Sequence, residues 1–423
     1  MESKQGVINM MKIKNLNLEN YRGFVNANID FSDHLTCIAG INGSGKTTIL
    51  GAIEKSMLIF LNVNRLGKYM RQKYALNATD VHIDKETTSI EQSETACTKL
   101  TFSVDDVENI IEHSFYKEGR IGNYYPSNYN GNDFKDAKNC PIFAFYSINR
   151  RNVSARKRKP MLNDGFDYIF TAWENVNLVN FDCFFDWYKN ELLDEYQAKE
   201  ENPSYINKEL LTVRNAISSF FGDSVKLKIV KDQLIAIKDR VELLFSNISD
   251  GEKSITLLLA DIARRLAIAN PNLDNPLEGT GIVLIDEIEM HLHPSWQRKV
   301  CKALKETFPN CQFIITTHSP QVLGELKTEE IWLLNDFNVY RPDSSYGLTS
   351  NEILDEIMDV IDDDTSLSRD SEIAKKLNEV STLVELEKFN AAKKVIEEIE
   401  KITGGEIHET VKYKTVIEMI GED

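Results

Sequence analysis

The sequence predicts an α/β protein: a mixed sheet with an antiparallel N-terminal β part, a helical lobe and a helical C-terminal region. Three observations carry that prediction. A buried-type strand, His34 to Ala39, runs into the glycine-rich loop Gly40-Ile41-Asn42-Gly43-Ser44-Gly45-Lys46-Thr47 and then into a helix. A second apolar strand, Gly281 to Ile285, ends in Asp286-Glu287. A third, Cys311 to Thr316, ends just before His318. Unbroken apolar strands suit a sheet covered on both faces, and ligands of such sheets bind where the carboxyl ends of the strands emerge.

In chain order, Met1 to Met10 reads as a flexible arm. Ile13 to Phe31 alternates as two short strands around Tyr21-Arg22-Gly23-Phe24. A helix is expected from Lys46 to about Phe60, then a polar insertion from Asn62 to Glu94, helical at Arg65 to Tyr74. Lys99 to Val104 and Pro141 to Ser147 read as strands, and Gly122 to Asp133 as a loop. Phe166 to Phe221 has helical periodicity and is rich in aromatic residues, which suits a helical lobe packed by rings. Lys226 to Phe245 gives three short strands. The helix after Ser249, the helix Ser295 to Glu306 and the strand Ile331 to Leu334 follow, and the chain is helical from Ser350 onward. The expected parts are an arm (1–10), the first half of the head (11–165), the helical lobe (166–222), the second half of the head (223–342) and a helical accessory region (343–423).

Composition narrows the function classes. With 42% hydrophobic and 27% charged residues the chain reads as globular. A formal charge of −17 argues against coating nucleic acid by bulk attraction. A local contact through Arg150, Arg151, Arg156, Lys157, Arg158 and Lys159 stays open beside the reading of a solvated loop. The six cysteines show no CxxC spacing, which fits a reduced cytoplasm better than disulfides or structural zinc. No apolar run approaches the roughly 20 residues that span a bilayer, and no signal peptide is evident.

The chemistry is concentrated at the strand ends. The pattern GxxxxGK[ST] between a strand and a helix is a phosphate loop, whose backbone amides face the phosphates of a nucleotide. Lys46 would reach the β- and γ-phosphates of ATP, and Thr47 would ligate Mg²⁺. Asn42, Gly43, Gly45 and Thr48 complete this nucleotide-binding set. Asp286 would hold Mg²⁺, and Glu287 would orient and deprotonate the attacking water. His318, at the same sheet edge, is the candidate γ-phosphate contact. Ser249 takes the N-cap position of the helix in Ser249-Asp250-Gly251-Glu252-Lys253, a helix start suited to an anion. His291 and His293 resemble a metal pair, but a structured turn at a subunit contact fits better, since acids and thiols are not clustered with them.

These motifs, in this order, resemble the head of ABC-type ATPases of the SMC/RecF branch. The resemblance implies a RecA-like mixed sheet. It also implies that Ser249, Asp250 and Gly251 of one subunit close over the ATP of a second, and that Arg22 in NYRGF lies near the nucleotide. Asp250 departs from the glycine of transporter ATPases, and the Q-loop residue is unassigned near PIFAFYSINRR. The runs SDGEKSITLLLADIARRLAIANP, GIVLIDEIEMHLHPSWQRKV and FPNCQFIITTHSPQVL resemble more closely the PtuA family, the ATPases of Septu and Septu-type retron antiphage systems. That resemblance implies a homodimer or higher oligomer and a partner HNH nuclease. A retron reverse transcriptase with its RNA–DNA product is a further implied partner.

No sustained heptads separate Thr47 from Ser249, so a DNA-clasping motor with coiled-coil arms is not expected. Asp362 to Asp364 lacks the spaced glutamate of an appended nuclease, so no nuclease centre is expected in this chain. The reading is a regulatory ATPase of antiphage defence. The alternative is a RecF-like ATPase that binds DNA in repair or recombination; a transporter subunit is disfavoured by the SDGEK signature.

Overall fold

A computed structural model describes residues 10–66, 76–84, 91–116, 121–124, 139–147, 181–222, 225–238, 240–354, 371–386 and 388–420. The chain forms two compact units, Met1–Gly347 and Leu348–Asp423. The first begins with two antiparallel strands, β1 (Met11–Tyr21) and β2 (Phe24–Asp30), followed by β3 (Leu35–Gly40) and the helix α1 (Lys46–Leu66). Two short strands, β4 (Ile83–Asp84) and β5 (Glu91–Gln92), pair with each other. Next come β6 (Thr95–Val104), β7 (Val107–Tyr116), β8 (Ile121–Tyr124) and β9 (Ile142–Tyr146). An antiparallel sheet of order β2-β1-β6-β7-β8 results. β7 falls where no strand is expected, and β8 takes Gly122 to Tyr124 out of the expected loop.

The helical lobe consists of α2 (Phe181–Glu201) and α3 (Lys208–Phe221). Phe184 and Tyr188 stack at 5.6 Å with both rings buried, and Asn207 caps α3 by accepting from the Leu210 amide. Glu195, buried on α2, takes a two-point contact from Arg214 of α3 at 2.9 and 3.3 Å. A three-stranded antiparallel sheet follows: β10 (Val225–Val230), β11 (Gln233–Lys238) and β12 (Val241–Leu244). It leads into α4 (Asp250–Ala269).

The central sheet is completed by β13 (Gly281–Ile285), β14 (Cys311–Thr317), β15 (Ile331–Asn335) and β16 (Asn338–Tyr340), with α5 (Pro294–Thr307) and α6 (Pro320–Leu323) between them. Its order is β16-β15-β3-β14-β13-β9, parallel throughout except for β15–β16. Every residue of β3, β9, β13 and β14 is buried, as their unbroken apolar text requires. The register sets Ile285 beside Ile315 and Thr317 beside Ala39. Gly40, Asp286 and His318 therefore leave the sheet at one edge. Gln312, fully buried on β14, joins the two sheets: its amide accepts from Ile13 N–H and donates to the Ile13 and Ser32 carbonyls. It does so beside the register shift of β1 at Ile13/Asn15.

The second unit contains α7 (Ser371–Glu385), α8 (Phe389–Thr403) and α9 (His408–Ile420). Ile373, Val380, Ala392, Ile396, Ile399 and Ile417 are among its core residues. No helix among the described residues is long and apolar enough to cross a membrane. Arg150 to Lys159, Asp362 to Asp364, the aromatic residues Phe166 to Trp173 and most of the stretch Arg65 to Tyr74 lie outside the described residues.

Candidate active site

The loop after β3 owes its shape to glycines. Gly43 has φ 86° and faces open space; Gly45 has φ 106° and is pressed against Phe24, whose Cζ would lie 2.7 Å from an added Cβ. Asn42 is exposed at the loop tip, and Thr48 is half-buried in the first turn of α1. Lys46 is buried, and its ammonium donates to the Gly40 and Ile41 carbonyls at 2.7 and 2.8 Å. Burial lowers the Lys46 pKa, against the opposing pull of Glu287, Glu289 and Asp286.

The Thr47 hydroxyl donates to Asp286 Oδ2 at 3.0 Å, joining the loop to the acidic end of β13. Asp286 is 1% exposed; its amide donates to the Tyr146 carbonyl on β9, and its Oδ1 accepts from Thr316 Oγ1 at 2.6 Å. The same Thr316 oxygen accepts the Glu287 amide at 2.8 Å. Glu287 itself has φ 47°, so its backbone leaves the strand direction at once and the side chain stays half-buried. Thr316 is absent from the residues singled out on sequence; a threonine in an apolar strand reads as a β-former.

Beyond β14, His318 donates from Nδ1 to Glu289 Oε1 at 2.9 Å, and its backbone amide reaches the same oxygen at 2.6 Å. That hydrogen bond raises the His318 pKa above its ordinary value, with burial opposing. Glu289 is 5% exposed. Burial alone would raise its pKa, but the His318 ring and amide outweigh burial and hold it below the usual carboxylate range. Glu289 too is missing from the sequence-derived set, hidden among the acids of DEIEMHLHP.

Ser249 caps α4, as the sequence predicts, and its hydroxyl is engaged within the chain. It accepts from the Glu252 amide at 3.3 Å and donates to Glu252 Oε2 at 2.7 Å, while Lys238 pairs with Glu252 Oε1. A glutamate at the third helical position closes a capping box, which satisfies two amides at once. Ser249 and Asp250 are exposed, whereas Gly251 is buried against the turn after β13. A Cβ at Gly251 would lie 2.4 Å from the His291 carbonyl oxygen. His291 has φ 64° in that turn, and His293 caps α5 by accepting from the Ser295 amide. The HxH pair thus shapes a turn seated on the signature of its own chain.

Arg22 sits at φ 52° in the β1–β2 turn. Its Nε donates to Asp80 at 3.0 Å, and Lys55 pairs with the other oxygen of that buried carboxylate at 2.8 Å. Phe337 packs against the neighbouring Gly23 and against Gly45, so the Arg22 turn adjoins the phosphate loop.

The structure therefore brings Lys46, Thr47, Asp286, Glu287 and His318 to one sheet edge and leaves Ser249 and Asp250 exposed at a helix start, with Gly251 buried behind them. The RecF/RecN/SMC N terminal domain matches residues 12–332, a span that holds all of these side chains. The chain belongs to the RecF/RecN/SMC family. Within this family setting it is 30% identical to the Retron Ec83 probable ATPase of Escherichia coli, over 92% of this chain and 83% of that one. It is 25% identical to the Septu protein PtuA of Bacillus thuringiensis, over 82% and 84%. Among solved structures, the SMC head domain from Thermotoga maritima covers 78% of this chain and 98% of its own length, at 16% identity and a TM-score of 0.46.

The donor set fits the nucleotide and the ion expected of it. Ser44 Oγ is buried in the phosphate loop without a hydrogen-bond partner, and Gly43 leaves room before it. Thr47 and Asp286 supply the hard oxygen atoms that Mg²⁺ takes.

Proposed function

We propose that the chain is an ATP-binding and ATP-hydrolysing regulatory subunit of an antiphage defence complex. It dimerises head-to-tail around ATP and holds a partner HNH nuclease in check. The observation that carries the catalytic half is the contact of Thr47 with Asp286, which sets the phosphate loop against the acidic strand end. The defence half is supported by likeness to proteins named as retron and Septu components over most of the chain.

Lys46 and the loop amides bind the phosphates, while Thr47 and Asp286 hold Mg²⁺, which neutralises charge on the phosphates. Glu287 accepts a proton from the attacking water. His318 contacts the γ-phosphate. Arg22 lies beside the nucleotide, and Ser249, Asp250 and Gly251 reach the ATP of the second subunit.

ATP binding and hydrolysis, dimerisation and nuclease activity in the presence of the HNH partner test this reading. Glu287→Gln is expected to bind ATP and accumulate as dimer while hydrolysing on the order of 100-fold more slowly, the scale of general-base catalysis. Lys46→Ala is expected to lose ATP. Ser249→Arg is expected to keep ATP and stay monomeric; a Ser249→Arg dimer formed with ATP would sink the trans contact.

A further inference from the structure

We infer that Glu289 is a positioning residue for hydrolysis, fixing the His318 ring so that its Nε2 faces outward to the reacting phosphate. This rests on the proposed role of His318 as a γ-phosphate contact. One carboxylate oxygen, Glu289 Oε1, holds His318 twice, at ring Nδ1 and at the backbone amide. Two anchors on a single residue set both the place of the main chain and the rotation of the ring. They also commit the hydrogen to Nδ1, which leaves Nε2 of the half-exposed ring as the nitrogen directed away from Glu289.

A purely structural role accounts poorly for this carboxylate. Glu289 is buried, and its second oxygen, Oε2, has no hydrogen-bond partner. The charge is not needed to hold the main chain, because a neutral amide oxygen would accept the His318 backbone N–H equally well. What the charge adds is preference for the imidazolium, in which Nε2 becomes a donor able to meet an anion through a charge-assisted bond. The other charged groups acting on the ring are Glu287, which favours its protonation, and Lys46, which opposes it. Glu289 follows β13 and His318 follows β14, so the pair also pins two neighbouring strand ends together.

The test compares the full chain with Glu289→Gln, His318→Gln and the double variant. It measures kcat and KM for ATP across pH, together with the ¹⁵N resonances of the His318 ring in nucleotide-free protein. Glu289→Gln is expected to lower kcat about tenfold with KM little changed, to move the alkaline fall of the pH profile to lower pH, and to shift the ring resonances as the Nδ1–H bond loses its charged acceptor. Glu289→Asp should restore part of each. The double variant should be no slower than His318→Gln alone, because both lesions act through one ring. Unchanged ring resonances in Glu289→Gln, or additive losses in the double variant, would overturn the inference. Full activity in His318→Gln would instead strike the phosphate-contact reading, leaving the ring resonances to decide the pairing itself.

Discussion

The Thr316 hydroxyl donates to Asp286 Oδ1 and accepts the Glu287 amide, so one buried oxygen aligns both acids at the end of β13. Valine has the same shape and neither function. Thr316→Val should therefore leave a buried amide and a carboxylate oxygen short of partners, at a cost of about 1–3 kcal/mol of stability. Hydrolysis should fall more than ATP binding, whereas Thr316→Ser should retain both; chemical denaturation and steady-state kinetics measure the two effects. Lys46 and Thr47 stand out in sequence because the glycine-rich loop is a local pattern, and Asp286 because it ends an apolar strand. Thr316 and Glu289 do not, because each acquires its role from a strand that arrives from elsewhere in the chain. Asp80 is similar: nothing near it in sequence indicates that it will hold both Arg22 and Lys55.

At the scale of elements, α4 is tied to the sheet by a buried polar cluster. Arg265, 1% exposed, donates through Nε to Asp261 at 2.7 Å; Arg264 takes the other oxygen, and the Tyr146 hydroxyl donates to Asp261 at 2.9 Å. Burial opposes ionisation of Asp261, but the two guanidinium groups hold its pKa well below the ordinary value. A depressed carboxylate pKa adds stability that is present above the unfolded value and is lost as pH falls through the folded one. Asp261→Asn removes the buried carboxylate that Arg264 and Arg265 share. It should destabilise the head by about 3–5 kcal/mol, read as a lowered urea midpoint at neutral pH, with the deficit shrinking under strongly acidic conditions.

The strands that sequence reading misses share a physical reason. Three hairpins turn through pairs of non-glycine residues at positive φ: Asp105-Asp106, Lys231-Asp232 and Asp336-Phe337. Two-residue turns of this hand usually advertise themselves with asparagine-glycine or aspartate-glycine. Without that punctuation β7 and β16 were hidden, and the charged, half-exposed text of β7 gave no alternation to recover it. The fully buried strands β3, β9, β13 and β14 present no such difficulty, since complete burial leaves an unbroken apolar run.

For the whole molecule, every residue proposed to act on ATP lies in the first unit, while the second has a core of its own. Ile396 is 1% exposed in that core. Ile396→Asp should melt the second unit, seen as rapid proteolysis after residue 347, and leave the affinity for a fluorescent ATP analogue unchanged. The order of the central sheet was only partly legible. Parallel strands and their carboxyl edge follow from the apolar text, but the place of β9 at the end beside β13 depends on pairing across long separations.

Phe337 holds a conformation that bulky side chains rarely adopt, φ 61°, with its ring edge-on to Phe24 and filling the space over Gly23 and Gly45. A methyl group at position 23 would come within 2.1 Å of that ring. A side chain at 23 would therefore have to displace the Phe337 ring, so the opening turn and the last hairpin of the head share one space, and the room available to the first is set by the side chain carried by the second.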